Sequence, residues 1–351
     1  MVKLFLILAG LILAGSEKYA DEGPLVPGAD WVAELEEQFA RIENSLDGSF
    51  GIYVKHLGDN RSLGHNAGHS WYLASATKIP MAIAILRKVE AGELSLDDEL
   101  ILRESDYVDG AGDILWQKPG AKYRISVLLE KMIQDSDNSA TDMLFRLIGE
   151  EELNRVIRQT MVAEGFNRIT SILQVRHDAY SEFHENAVHL SNMDILYVNG
   201  SRCRVERMDR LLKLLSVDRT EVKAGSVAEA FERYYDRQLN SGNLESMVLL
   251  LERLYRGELL SEDHTRYLLD VMAGVRTGDR RIKAGLSEGY RFYHKTGTQI
   301  NRTVHVGIIH PENAESGYPV IVAASVRTDG LAEAENALRE IGRALSSAMT
   351  R

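Results

Sequence analysis

The stretch Ala74-Ser75-Ala76-Thr77-Lys78-Ile79-Pro80, ASATKIP, sets a serine three residues ahead of a lysine and leads into the apolar run Met81-Ala82-Ile83-Ala84-Ile85-Leu86. On a helix, residues i and i+3 share a face, so Lys78 can bring its amine to the Ser75 hydroxyl. A serine hydroxyl is a weak nucleophile until a base takes its proton. A lysine can be that base once burial or nearby charge lowers its pKa. The same residues also suit a serine helix cap, and roughly one Ser-x-x-Lys is expected by chance in a chain this long. Alone, the motif decides nothing.

Two triplets downstream change its weight. Ser136-Asp137-Asn138 follows the helical stretch VLLEKMIQD, and Lys295-Thr296-Gly297 lies in a strand-like run. Asp137-Asn138 also fits plain turn chemistry between helices, because both side chains satisfy local backbone groups. A glycine inside a strand marks close approach of another backbone or a ligand. In this order the three motifs form the combination used by serine β-lactamases and penicillin-binding proteins. The chain resembles class A β-lactamases and their β-lactamase-like relatives beyond the triplets. PGAKYRISVLLEKMIQDSDNSATDMLFRLIG is similar to the family's helix–loop–helix around the second motif, and HKTGTQINRTVHVGIIH to its active-site strand and the next one. LERLYRGELLSEDHTRYLLDVM is similar to the helices ahead of that strand, and the resemblance spans residues 31–180 and 238–345.

The resemblance implies a metal-free, cofactor-free enzyme in which Ser75 is acylated and Lys78 is its base or proton relay. Ser136 would pass a proton to the leaving nitrogen, and Asn138 would hold the substrate amide and Lys78. Lys295 would supply positive charge, with Thr296 and Thr298 binding a substrate carboxylate on the Lys295-Thr296-Gly297 strand. The backbone N–H groups of Ser75 and Thr298 would form the oxyanion hole. His305 would face the cleft where the family often has a cation. The implied substrate is a small β-lactam or a D-alanyl peptide, and the implied protein a monomer.

The pattern breaks where water should attack. Class A enzymes carry a carboxylate base within Glu-x-x-Leu-Asn on a loop after the second motif, and ITSILQVRHDAYSEFHENAV has none. A gap-free reading puts Arg176 or His177 near that place, with Asp178, Glu182 and Glu185 the nearest carboxylates. Asp178 is the candidate deacylation base and His177 its rival, each set against a structural role on the loop. Glu151-Glu152-Leu153-Asn154 follows the second motif too closely and reads as helix. Without a base an acyl-enzyme stalls, because hydroxide is scarce at neutral pH. The readings are therefore a β-lactamase, a D,D-peptidase that acylates and deacylates slowly, or a sensor that captures a ligand without turnover.

The second departure is length. Ser136 and Lys295 are 159 residues apart, longer than the family pattern by about fifty residues. The surplus falls at 187–237, as either an extra helical pair packed on the lobe or a wall that reshapes the cleft. Ser226-Val227-Ala228-Glu229 fits a capping box ahead of a helix packing Phe231, Tyr234, Tyr235 and Leu239. Cys203, between Arg202 and Arg204, is the single cysteine. It rules out an internal disulfide and reads as a partly buried thiol. His184 and His189 are spaced onto different helix faces, which excludes a zinc-protease pair.

The chain ends set the architecture. Trp31, Leu35, Phe39 and Ile42 recur at helical steps, and SFGIYVKHL and SLGHNAG form two strands about Gly58-Asp59-Asn60. YRFYHKTGT, TVHVGIIH and YPVIVAASV read as three more strands, and Leu331 to Met349 as a closing helix. The expected fold is α/β (α+β), an antiparallel sheet flanked by helices and built from both termini. One domain, 30–351, would comprise an α/β part, 30–73 plus 275–351, and an inserted all-helical lobe, 74–274. Residues 1–16, MVKLFLILAGLILAGS, read as a secretory signal cleaved near 16–20, predicting export to the periplasm or medium. No stable membrane insertion is expected after its removal. The net charge of −11, without a basic cluster, argues against nucleic acid.

Overall fold

The computed structural model describes residues 31–162, 164–200, 203–312 and 317–349. The predicted signal and its cleavage positions lie outside these residues. Among them the strands are β1 (Gly48–His56), β2 (Ser62–His65), β3 (Trp71–Tyr72), β4 (Glu99–Ile101), β5 (Lys122–Arg124), β6 (Ser241–Gly242), β7 (Tyr290–Gln299), β8 (Arg302–Pro311) and β9 (Val320–Thr328). Five form one antiparallel sheet in the order β2-β1-β9-β8-β7. The first hairpin therefore pairs with the last strand, with Ile52 opposite Ala324. Asn60 takes the left-handed conformation, φ 58°, that turns this hairpin.

Each sheet face buries a different set of side chains. On one face, helices Trp31–Asn44 and Leu331–Met349 pack through Trp31, Leu35, Phe39, Ile42, Leu338 and Ile341. The apolar stripe read from the sequence is the face that packs. Against the other face lies a larger core made with helix Leu244–Tyr255 and helix Lys78–Glu90. Every residue from Lys78 to Leu86 is buried, as expected of a helix that is apolar on all sides and runs through the centre of a lobe. No described helix is long and apolar enough to cross a membrane.

The lobe departs from all-helical in two places. β4 pairs with β5, and β3 pairs with β6 through Trp71–Gly242 and Tyr72–Ser241. The second pair fastens the segment just before Ser75 to the chain just after the insertion. Runs this short carry no periodic signal, which is why the sequence reads through them.

The insertion builds a core of its own. Helices Asn192–Asn199, Arg204–Leu215 and Val227–Asp236 pack with helix Ile172–Ser181 around Tyr180, Phe183, Phe231 and Tyr234. Phe231, Tyr234 and Tyr235 are buried and Leu239 packs against them, as their spacing predicts. Ser226 caps its helix by accepting from Glu229 N–H at 3.1 Å, but Glu229 reaches past it to Gly225 N–H at 2.8 Å. Cys203 is exposed rather than partly buried.

Candidate active site

Ser75 sits on a tight 3-10 turn, Ala74–Thr77, that runs directly into helix Lys78–Glu90. Ala74 ahead of it has φ 46°, an uncommon conformation for a residue with a Cβ. Thr77 Oγ1 braces the turn by donating to the Ala74 carbonyl at 2.8 Å. From the other side β7, the edge strand, presses its glycine against the turn. A Cβ on Gly297 would lie 2.8 Å from Ala74 Cβ, 2.9 Å from Leu73 O and 3.0 Å from Ser75 N. Gly297 is thus the residue that lets the edge strand run beside the Ser75 backbone. Ser75 itself stays half-buried, open to the cleft.

Lys78 is wholly buried, and its Nζ donates to the Ser136 carbonyl (2.7 Å), Ser136 Oγ (3.2 Å) and Asn138 Oδ1 (2.9 Å). Burial depresses its pKa to about 7, against the pull of Asp137 and Asp142 and with help from Arg176. Ser136 reaches this amine because helix Ile125–Glu130 loosens into a π turn, Lys131–Asp135, that ends at Ser136 with φ 57°. Helical irregularities of this kind recur at functional sites. Asp137 is structural. One oxygen caps the next helix at Ala140 N–H (2.8 Å), and the other accepts from Asp113 N–H (2.8 Å) and Ile114 N–H (3.1 Å). Asn138 is fixed by donating Nδ2 to the Asp109 carbonyl at 2.6 Å, which leaves its Oδ1 for Lys78.

The third motif lies along β7. Lys295 is fully buried, donating to the Thr296 carbonyl at 3.0 Å. Burial, then the charges of Lys78 and Arg281, push its pKa well below the usual lysine range. Thr296 and Thr298 line the cleft together with Ser75, Ser136, Asn138 and Arg281. Arg281, which the sequence reading did not single out, is the cation at this end. It donates to Thr298 Oγ1 (2.7 Å), the Gly297 carbonyl (3.0 Å) and the Val304 carbonyl (3.2 Å), and pairs with Glu335 at 3.3 Å.

His305 does not face the cleft. It is enclosed behind β7, where Ile282 N–H donates to its Nδ1 (3.2 Å) and its Nε2 meets His294 Nδ1 (2.9 Å). Burial, then His294 and the neighbouring cations, hold its pKa far below the ordinary histidine value. A neutral ring that fixes Ile282 is a support for Arg281, next in the chain.

The far side of Ser75 carries a guanidinium. Tyr72, Ile172, Val175, Arg176, Asn240 and Gln299 line this part of the cleft. Arg176 projects from helix Ile172–Ser181, whose first N–H groups, Ile172 and Leu173, donate to buried Asp142 at 2.8 and 2.9 Å. Burial raises the Asp142 pKa to about 6 against those donors. Asp109 accepts from Arg176 Nε at 2.7 Å. Burial opposes the Arg176 charge, but Asp109 overrides it and keeps the guanidinium pKa above its ordinary value. Asp178, the candidate base, points elsewhere: it pairs with Arg237 (3.3 Å) and accepts from Gln174 Nε2 (3.0 Å). Glu182 lies 3.8 Å from the same arginine, Glu185 pairs with Lys223 at 3.4 Å, and His177 Nδ1 is 3.4 Å from the Ala187 carbonyl. Helical phase explains this: Asp178 is two positions on from Arg176, so the two point to different faces. Among the described residues lining the cleft, Asp109 is the one carboxylate.

The cleft is closed by the insertion. Asn199, Arg207 and Phe231 line the same cavity of about 430 Å³ as Ser75, so this segment is a wall of the site as well as a helical layer on the lobe.

The sequence model described as the "Beta-lactamase enzyme family" matches residues 34–349. The chain belongs to the β-lactamase enzyme family. Within this family it is 22% identical over 308 residues to "Beta-lactamase L2" of Stenotrophomonas maltophilia, covering 87% of this chain and 82% of that protein. It is 23% identical over 305 residues to a β-lactamase of Mycobacterium tuberculosis, covering 86% and 81%. A mutant of PBP-A, solved as an acyl-enzyme complex with penicillin G, has the same fold with TM-score 0.67 at 21% identity, covering 90% of this chain and 96% of that one. The TLA-1 extended-spectrum β-lactamase superposes with TM-score 0.67 at 21% identity, covering 90% and 99%. The protein is thus an enzyme of the serine β-lactamase and penicillin-binding-protein fold.

Proposed function

We propose that the enzyme opens β-lactam rings by forming an acyl-enzyme on Ser75, and that it releases the acyl group slowly. The observation that carries this reading is Lys78: fully buried, with a pKa near 7, and bonded to both Ser136 and Asn138. In its neutral form Lys78 takes the Ser75 proton as Oγ bonds to the lactam carbonyl carbon. The proton passes to Ser136 and on to the ring nitrogen as the C–N bond breaks. The Ser75 and Thr298 N–H groups stabilise the oxyanion, a role that the approach of Gly297 to the nucleophile's backbone supports. Arg281, Thr296 and Thr298 receive the substrate carboxylate.

The second half of the cycle needs a water and a base. Arg176, held by Asp109, lines the cleft beside Ser75, and a gap-free reading of the sequence puts Arg176 or His177 near the place of the class A glutamate, which supports a long-lived acyl-enzyme. This observation also favours a second reading, in which the physiological donor is a D-alanyl peptide and the acceptor is not water. The leader-like residues 1–16 support export to a compartment where either substrate is met.

A chromogenic cephalosporin followed by absorbance and intact mass tests both readings. The expected result is a Ser75 adduct outlasting the burst, with turnover slower than acylation by roughly 10²-fold or more, and no adduct in Ser75→Ala. Acceptance of the acyl group by an added D-amino acid, faster than hydrolysis, selects the peptidase. Absence of any adduct with penicillin, cephalosporin and ester probes removes Ser75 as nucleophile.

A further inference from the structure

Ser75 shares its cavity with a pair of donors that nothing in acyl transfer uses. Asn199 ends helix Asn192–Asn199, Arg207 stands one turn into helix Arg204–Leu215, and both line the cavity of about 430 Å³. Arg207 Nε and Asn199 Nδ2 are buried without a hydrogen-bond partner among the described residues. Buried donors are almost always met, by protein or by water. Two residues of one cavity wall whose donors find no acceptor among the described residues, one of them a guanidinium with no described carboxylate paired to it, therefore suit an acceptor brought into the cavity.

The Asn199 amide is oriented by its Oδ1, which accepts from the Tyr180 hydroxyl at 2.8 Å and leaves Nδ2 as the unmet donor. Arg207 is close enough that its charge acts on buried Tyr180. No acid on the wall neutralises it: Glu206, the adjacent carboxylate, is engaged by Arg210 at 2.7 Å. Asp109 is committed to Arg176 at 2.7 Å. The described residues lining the cavity thus carry the guanidiniums of Arg176, Arg207 and Arg281 against the one carboxylate of Asp109.

A substrate with a single carboxylate, bound by Arg281, Thr296 and Thr298, leaves Arg207 and Asn199 unmet. Asn138 takes the acyl amide, so a second anion within reach belongs to the acyl side chain. We infer that Arg207 and Asn199 form a second anion subsite, and that the preferred acyl donor carries a carboxylate on its acyl side chain. This inference rests on the proposed acylation of Ser75, and concerns the insertion rather than the three motifs.

Benzylpenicillin and α-carboxybenzylpenicillin differ by one carboxylate at that position. Binding of each to the Ser75→Ala protein, which keeps the ring intact, is measured by calorimetry. The dianion should bind about 10-fold or more tightly, as expected for a charge-assisted fork. Arg207→Gln should bring the two within about twofold, and Asn199→Asp, which replaces the amide donor by a carboxylate of the same shape, should invert the preference. Equal affinities in the parent, a preference that survives Arg207→Gln, or binding of neither penicillin would overturn the subsite. Intact mass of the Ser75 protein with the same two compounds reports on acylation separately. A dianion preference without any adduct keeps the subsite and removes the nucleophile; an adduct without preference does the reverse.

Discussion

Two buried cations flank Ser75, and they are opposite in kind. Lys78 is surrounded by neutral acceptors: a carbonyl, a hydroxyl and an amide oxygen. Burial therefore acts on its charge almost unopposed at contact range, and its pKa settles at about 7. Arg176 is as deeply enclosed, but a carboxylate touches it at 2.7 Å, and burial is overridden. A lysine so placed exchanges its proton at neutral pH, while an arginine does not. The same low-dielectric setting thus makes one side of Ser75 a group that titrates near neutrality and the other a fixed charge. On the proposed chemistry, the Lys78 side offers acylation a base and the Arg176 side offers deacylation only a fixed charge.

The contrast can be broken most severely on the Lys78 side. Lys78→Ala should slow acylation by roughly 10²–10⁴-fold, the usual worth of a positioned general base, measured as the rate of adduct formation. Lys78→Arg should not rescue it, since the charge returns but the removable proton does not. On the other side, Arg176→Glu combined with Asp109→Asn supplies a carboxylate without a like-charged neighbour. Hydrolysis of the acyl-enzyme should then quicken by roughly 10–10²-fold, read by pre-steady-state mass spectrometry. An unchanged rate would mean that the cation is not what delays water.

A finer test is pH. Lys78 acts in its neutral form, so acylation should rise about tenfold per unit below neutrality and level off above the Lys78 pKa of about 7. A flat profile between pH 5 and about 9 would remove Lys78 as the base. The smallest effect is expected from Asp178→Asn. Its carboxylate is bound to Arg237 and Gln174, so deacylation should change by less than about twofold. A trapped adduct in this variant would restore Asp178 to the chemistry.

What could be read from the chain follows from where the signal lies. Helices Trp31–Asn44 and Leu331–Met349 and strand β1 repeat apolar residues at fixed periods, and β9 is a continuous apolar run rich in β-branched residues, signals that survive tertiary context. Ser75, Lys78 and the second and third motifs are legible because each motif is local in sequence. Arg281 is not: it lies in TGDRRIKAG, where nothing distinguishes it from Arg280, and only the approach of β7 and β8 gives it acceptors. Arg207 and Asn199 are equally silent, since their meaning depends on the insertion folding back over the cleft. His305 and Asp178 share a physical limit: position in the chain does not give the direction of the side chain, and the fold turns both away from the cleft. Ala74 and Ser136 hold left-handed backbone that their residue types do not announce.

The pairing of β1 with β9 has a consequence for how the chain reaches this state. Residues near 50 wait for residues near 325 before either strand is satisfied on that side. Closing so long a loop is paid in chain entropy before any sheet contact repays it, which places folding toward the slow end for its size. During synthesis β1 and β2 stand as a lone hairpin, marginal in water, until the final strands arrive. The last 30 or so residues therefore act as a latch. A chain cut short ahead of β9 should be an unfolded target for proteases rather than a weakened enzyme.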